Sequence, residues 1–296
     1  MTFTCPQYLV ETDWLQTQLD ATDLRILDCT VTFRVHDDPA RRNAVEIRSG
    51  REQWQRAHIP GSAFVDLTTE LRDPANKQLM FPMPDAERFA AVMSERGIGP
   101  GTRVVLYDAM ANMWAARVWW MLRVFGFEEA MVLNGGFGKW QREGRPLSAA
   151  APGYPPARFL ARPRPRLLAS KEDVRAAIDD GQSCILNALS PEQHSGADPG
   201  PYARAGHIPS SINVPALSLV DPATQAYLDA DTLRERFTQS GALQRERVIT
   251  YCGGGIAACG AALALTLLGH EDVAIYDGSM TEWAADLAMP LVSGAA

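Results

Sequence analysis

No stretch of this chain approaches the ~20 consecutive apolar residues that a bilayer-spanning helix requires, which excludes a transmembrane role and a membrane partner. Lysine is scarce. Only Lys77, Lys139 and Lys171 stand among 28 basic residues, and the cations are scattered rather than clustered. Against 35 acidic residues and a formal charge of −7, that leaves no electrostatic footprint for nucleic acid. The opening MTFTCPQYLVETDW has no basic stretch followed by an apolar one, so it does not read as a secretory signal. Five cysteines (Cys5, Cys29, Cys184, Cys252, Cys259) form no CxxC pair and leave an odd thiol, so reduced thiols and a cytoplasmic location are expected. The five histidines, His36, His58, His194, His207 and His270, share no zinc-ligand spacing with them, and neither a metal nor another cofactor is expected. What is present is ordinary for folded protein: 296 residues, 46% hydrophobic and 21% charged, long enough for two domains.

The chain repeats itself. HIPGSAFVDL at 58–67 returns as HIPSSINVPAL at 207–217, RVVLYD at 103–108 as RVITYC at 247–252, and GFEEAMVLNGGFGKW at 126–140 as GHEDVAIYDGSMTEW at 269–283. Three matches in one order, at offsets of 149, 144 and 143, indicate duplication of a whole domain. Between the copies, 149–166 reads AAAPGYPPARFLARPRPR, with five prolines. Proline fixes φ and removes a donor, so an extended linker is expected between domains at 1–148 and 167–296.

Within each copy, short apolar runs alternate with helix-length stretches. LRILDC, SAFVD, RVVLYD and AMVLN read as strands in the first copy, with ANMWAARVWWMLRVFG as a helix between the last two. In the second, SCILNAL, SINVP, RVITY and DVAIYD read as strands. LASKEDVRAAIDDG, DADTLRERFTQSG and GIAACGAALALTLLG read as helices, the first opened by Ser170 and stopped by Gly181. Continuous apolar strands separated by helices imply a parallel sheet covered on both faces. The fold class expected is α/β: two tandem three-layer domains.

Ligands of open parallel sheets bind beyond the carboxyl ends of the strands. There RVITY runs into Cys252, followed by Gly253-Gly254-Gly255 and a helix. Consecutive glycines let a loop curl with its N–H groups inward, and a helix N-terminus adds positive potential, so the reactive thiolate is favoured at Cys252. Gly253-x-Gly255-x-x-Ala258 also matches a dinucleotide fingerprint, but only one strand remains after it where a βαβαβ half is needed. A Cys-x5-Arg phosphatase loop is excluded, because the sixth residue after Cys252 is Ala258. Cys259, among alanines, reads as a core thiol. His58 and His207 open the repeated turns, of which only one has a cysteine partner, and read as structural.

The repeated HIP turns, the strand–Cys–glycine loop–helix and the closing IYDGSMTEW resemble the tandem-domain rhodanese family of sulfurtransferases over about residues 8–290. The resemblance implies two rhodanese domains, of which only the C-terminal one keeps the catalytic cysteine; here Cys252 aligns with Asp108. It implies transfer of a sulfane sulfur from a small donor, through a Cys252 persulfide, to cyanide or a thiol, including a protein thiol. Residues Gly253, Gly254, Gly255, Ile256 and Ala257 would then bind substrate. This loop is similar to the Cys-Gly-Ser/Thr-Gly-Val-Thr loop of mercaptopyruvate-type members, with Gly254 and Ala257 replacing its hydroxyl residues. It has no basic residue of the kind thiosulfate-type members carry, so 3-mercaptopyruvate is the expected donor. Those mercaptopyruvate-type members hold the donor carboxylate with arginines upstream of the second HIP turn. This chain offers His194 and Arg204 there, with Gln193 beside them, and Met280 stands at a usually aromatic position of the closing motif. The alternative function class is a weakly active or non-enzymatic persulfide carrier.

Overall fold

A computed structural model describes residues 2–35 and 45–294; His36 lies outside them. The chain divides into two compact units: Leu9–Pro74 with Met83–Arg162, and Met1–Tyr8 with Ala75–Pro82 and Pro163–Ala296. In the first, strands β1 (Leu9–Val10), β2 (Leu24–Asp28), β5 (Ser62–Phe64), β6 (Arg103–Tyr107) and β7 (Ala130–Leu133) form a parallel sheet in the order β1-β7-β6-β2-β5. Strands β3 (Val31–Val35) and β4 (Val45–Ser49) pair antiparallel outside it. Helices α1 (Thr12–Thr17), α2 (Arg51–Arg56), α3 (Ala86–Glu95), α4 (Met113–Val124) and α5 (Gly136–Arg142) complete this unit.

The second unit repeats the topology. Strands β8 (Leu168–Ala169), β9 (Ser183–Asn187), β10 (Ile212–Asn213), β11 (Arg247–Tyr251) and β12 (Asp272–Tyr276) run parallel in the order β10-β9-β11-β12-β8. Its helices are α6 (Lys171–Ala177), α7 (Pro191–Ser195), α8 (Ala230–Gln239), α9 (Ala257–Leu267) and α10 (Ser279–Trp283). Each expected strand is present; the edge strands β1 and β8, two residues each, carry too little pattern to be read from sequence. No helix among the described residues is long and apolar enough to cross a membrane.

Alternation along the central strand sets the two faces. Ile249 and Tyr251 of β11 pack with Val174 of α6 and Met280 and Trp283 of α10. Thr250 points the other way and donates from Oγ1 to the Ala258 carbonyl of α9 at 3.2 Å. Helix α9 is buried from Ala258 through Leu267, which is why its sequence is Ala/Leu-rich all round instead of amphipathic. Ser170 opens α6 with a capping box to Asp173. The helix nevertheless ends at Ala177, short of Gly181. Asp180 folds the intervening turn by accepting from the N–H groups of Gln182 and Ser183, both at 2.8 Å.

The proline-rich stretch carries neither helix nor strand up to Arg164, as its composition predicts, but it is not a free tether. Tyr154 Oη accepts from the Ile26 N–H at 3.1 Å and donates to the Gly61 carbonyl. Further along, the Ala157 N–H donates to Ser94 O at 3.0 Å and the Arg162 N–H to Phe125 O at 2.8 Å. Gly97 makes this packing possible, because a Cβ there would lie 2.7 Å from the Pro155 carbonyl oxygen. Residues through Arg162 accordingly fall in the first unit.

Both sheets end in the same buried knot. Tyr251 closes β11 with its hydroxyl between Ser211 Oγ (2.9 Å), Asn187 Nδ2 (2.9 Å) and the Ile208 N–H (3.1 Å). Tyr107 does this in the first unit with Ser62 Oγ (2.8 Å) and the Ile59 N–H (3.4 Å), and Asp28 stands where the second unit has Asn187. Burial dominates at Asp28 and raises its carboxyl to about 6 despite hydrogen bonds from Thr30. Between the unfolded value of ~3.9 and about 6 the folded chain keeps a proton that the unfolded chain has lost, so this group's contribution to stability falls as pH rises. Asp28→Asn, which copies the second unit, is therefore expected to flatten the fall of the urea midpoint between pH 4 and 7. An unchanged slope would show that Asp28 is ionised in the folded state.

Candidate active site

The site grows from the end of β11, the central strand of the second sheet. Cys252 is 2% exposed, and the loop after it leads into α9, whose N-terminus is directed at the loop. Gly253, Gly254, Ile256 and Ala257 are each partly exposed, so the predicted substrate-binding loop is reachable from solvent, with Gly255 buried beneath. Gly255 has φ +79°, a conformation that favours glycine. Gly253 is required for space: a Cβ there would lie 2.2 Å from Tyr202 Oη. Gly254 is under no such demand, since a Cβ would meet only Met80 Cβ at 3.7 Å and Thr281 Oγ1 at 3.9 Å.

The loop is tied down by the start of α10. Ser279 Oγ accepts from the Cys252 N–H at 3.1 Å and donates to the Tyr276 carbonyl at 2.8 Å. The Met280 N–H donates to the Cys252 carbonyl at 3.0 Å. Thr281 donates twice to the Gly253 carbonyl, from its N–H at 3.0 Å and its Oγ1 at 2.7 Å. Ser279 adopts φ +49°, a left-handed conformation costing a non-glycine residue ~1–3 kcal/mol. The first unit has Gly136 in that place, at φ +53°, and Phe137 where the second has Met280. Ser279, Thr281 and Tyr202 were not singled out from sequence. The repeated closing motif marked the turn but not which of its atoms would reach the cysteine.

The first unit has a carboxyl group at the corresponding strand end. Asp108, aligned with Cys252, accepts on Oδ1 from the N–H groups of Met110 (2.6 Å) and Asn112 (3.2 Å) and on Oδ2 from that of Ala115 (2.8 Å). In this unit three backbone donors thus converge on the side chain that follows the central strand. The cradle is filled there by the chain's own carboxylate, which burial raises to about 7.

The two upstream candidates are engaged with other partners. His194 is buried, and its ring is stacked on His207 with centroids 3.8 Å apart. Burial, with the neighbouring imidazole second, lowers it to about 4, so it is neutral near pH 7 and not a cation for a carboxylate. Arg204 turns its guanidinium onto four main-chain carbonyls around the end of α10: Ala284 (2.9 Å), Met289 (3.1 Å), Trp283 (3.2 Å) and Asp286 (2.7 Å). It closes that helix end. His58 and His207 are buried with ring nitrogens on carbonyls, His58 on Trp54 (2.6 Å) and Ala150 (3.1 Å), His207 on His194 (2.7 Å). Cys259 is fully buried, its thiol on the Gly255 carbonyl at 3.0 Å. Among the described residues no cluster of His, Cys, Asp or Glu has the makings of a metal site.

A family model described as the rhodanese-like domain matches residues 11–143 and 170–286. The chain is 34% identical over 307 residues to thiosulfate/3-mercaptopyruvate sulfurtransferase 2 of Arabidopsis thaliana, covering 96% of this chain and 86% of that protein. It is 30% identical over 306 residues to the sulfur carrier protein TtuD of Thermus thermophilus, covering 99% of each. Among solved structures, SseA of Escherichia coli, described as a 3-mercaptopyruvate sulfotransferase with the rhodanese fold, superposes with a TM-score of 0.78 at 29% identity, over 92% of this chain and 98% of SseA.

The loop tether makes a stability prediction. Ser279→Ala leaves the Cys252 N–H without its acceptor and keeps the strained backbone, and should lower unfolding free energy by about 1–3 kcal/mol. Ser279→Gly relieves the strain and should cost less. Urea denaturation measures both, and an Ala variant as stable as wild type would show that the tether carries no load. Arg204→Ala is expected to destabilise by about 2–4 kcal/mol, since it leaves several carbonyls of a helix end bare.

Proposed function

Because the chain belongs to the rhodanese family of sulfurtransferases, we propose that it moves a sulfane sulfur through a persulfide on Cys252, with 3-mercaptopyruvate as the better small donor. The observation that carries this reading is the cysteine itself, which directly follows the central strand and opens a loop of glycines tied to α10. The attacking form is the thiolate. With 3-mercaptopyruvate it attacks the thiol sulfur, the C–S bond breaks, and the pyruvate enolate leaves with the electron pair and takes up the thiol proton. With thiosulfate it attacks the outer sulfur and sulfite leaves with the S–S electron pair. Cyanide or a thiolate then attacks the outer persulfide sulfur, and the Cys252 thiolate departs.

Charge favours the monocarboxylate donor. Gly253 through Ala257 offer N–H groups and a helix terminus but no full positive charge. A basic residue would add a charge-assisted hydrogen bond of ~1.5–3 kcal/mol, and each ~1.4 kcal/mol is tenfold in rate. A dianionic donor loses more by that absence than a monocarboxylate does. The acceptor is cyanide or a small or protein thiol. A second reading, a carrier that passes its persulfide to a protein thiol, is supported by the likeness to a protein named as a sulfur carrier. It predicts persulfide formation without appreciable turnover on small acceptors.

Thiocyanate formation tests the reading. Cys252→Ser should abolish it, and Cys259→Ser should retain it; wild-type-like turnover in the Cys252 variant would refute the assignment. The ratio of kcat/KM for 3-mercaptopyruvate and thiosulfate, measured with one acceptor, should favour the former. More efficient use of thiosulfate would require a cation from outside the loop.

A further inference from the structure

Tyr202 precedes the second HIP turn, and its phenol lies against the glycine that follows the candidate nucleophile. Two glycines make room for the ring. A Cβ on Gly253 would lie 2.2 Å from Oη, and one on Gly200 would lie 2.8 Å from Cε2. The ring packs against the second unit's core cluster, which includes Tyr251 and Met280, so the core restrains its orientation. Its hydroxyl makes no hydrogen bond with any described residue, although the ring is only partly exposed. Burial first, then the Cys252 sulfur and then Asp198, hold the phenol well above its ordinary value. It is therefore a neutral donor at any working pH and not a base.

This placement answers a need left by the two upstream candidates. Arg204 is committed to carbonyls and His194 is buried and neutral, so neither presents a charge to a donor molecule. Both small donors carry oxygen close to the transferred sulfur: the sulfonate oxygens of thiosulfate, and the keto and carboxylate oxygens of 3-mercaptopyruvate. Resting on the Cys252 persulfide reading, we propose that Tyr202 determines donor specificity, its O–H donating to an oxygen of the sulfur donor as the sulfur is taken up. The phenol then favours sulfur donors that bear an oxyanion beside the transferred sulfur, a feature absent from cyanide and from oxygen-free polysulfide.

The two half-reactions separate this role from a structural one. Tyr202→Phe keeps the ring and its packing and removes only the unpartnered hydroxyl. Persulfide formation from 3-mercaptopyruvate and from thiosulfate, followed by intact mass in single turnover, should slow ten- to a hundredfold, the effect of losing one hydrogen bond to a charged acceptor. Loading by inorganic polysulfide, and release of the loaded sulfur to cyanide, should stay within twofold of wild type. Equal rates in every arm would overturn the proposal. So would a fall common to all arms, which would mark Tyr202 as a support for the loop. A wild-type chain that gains no sulfur from any donor would instead refute the persulfide reading itself.

Discussion

A left-handed turn at Ser279 holds the Cys252 end of the second sheet in place. Its hydroxyl takes the Cys252 N–H, the next residue binds the Cys252 carbonyl, and Thr281 binds the Gly253 carbonyl twice. These bonds fix both peptide units that flank the first loop residue. Without them the strand would end in a run of glycines, the most freely moving backbone available. The strained φ of Ser279 is a local cost offset by the order it imposes on the sulfur.

The duplicated halves are two uses of one scaffold. Sheet order, the Tyr–Ser knot and the turn that clasps the central strand recur in both. What differs is the residue at the strand end. Asp108 fills its own cradle and takes the backbone donors for its carboxylate. Cys252, with glycines behind it, brings no carboxylate to that position, and under the proposed function its loop serves a bound donor. The fold alone does not decide between these outcomes; a few residues at one strand end do.

Much of this was legible in the sequence. Duplication, the parallel α/β layers and the isolated cysteine at a strand–glycine–helix junction follow from pattern and local chemistry. Ser279 escaped because nothing in its letter distinguishes a serine in a left-handed turn from any surface serine. Tyr202 escaped because its position depends on Gly200 and Gly253, far apart in the chain and both needed to admit the ring. His194 and Arg204 show the opposite: the first is a buried ring stacked on His207, the second a guanidinium on four main-chain carbonyls. A polar residue near a site suggests recognition until its burial and its carbonyl partners are seen. The proline-rich stretch carries neither helix nor strand up to Arg164, and its composition holds no record of the glycines that bind it to the first unit.

The central claim is that sulfur is carried on one residue of five cysteines. Peptide mapping by mass spectrometry, after brief exposure of the full chain to 3-mercaptopyruvate and removal of excess donor, tests it directly. The account predicts one added sulfur, on the peptide containing Cys252, lost on treatment with cyanide. An added sulfur found on Cys5, Cys29, Cys184 or Cys259 with Cys252 unmodified would contradict it.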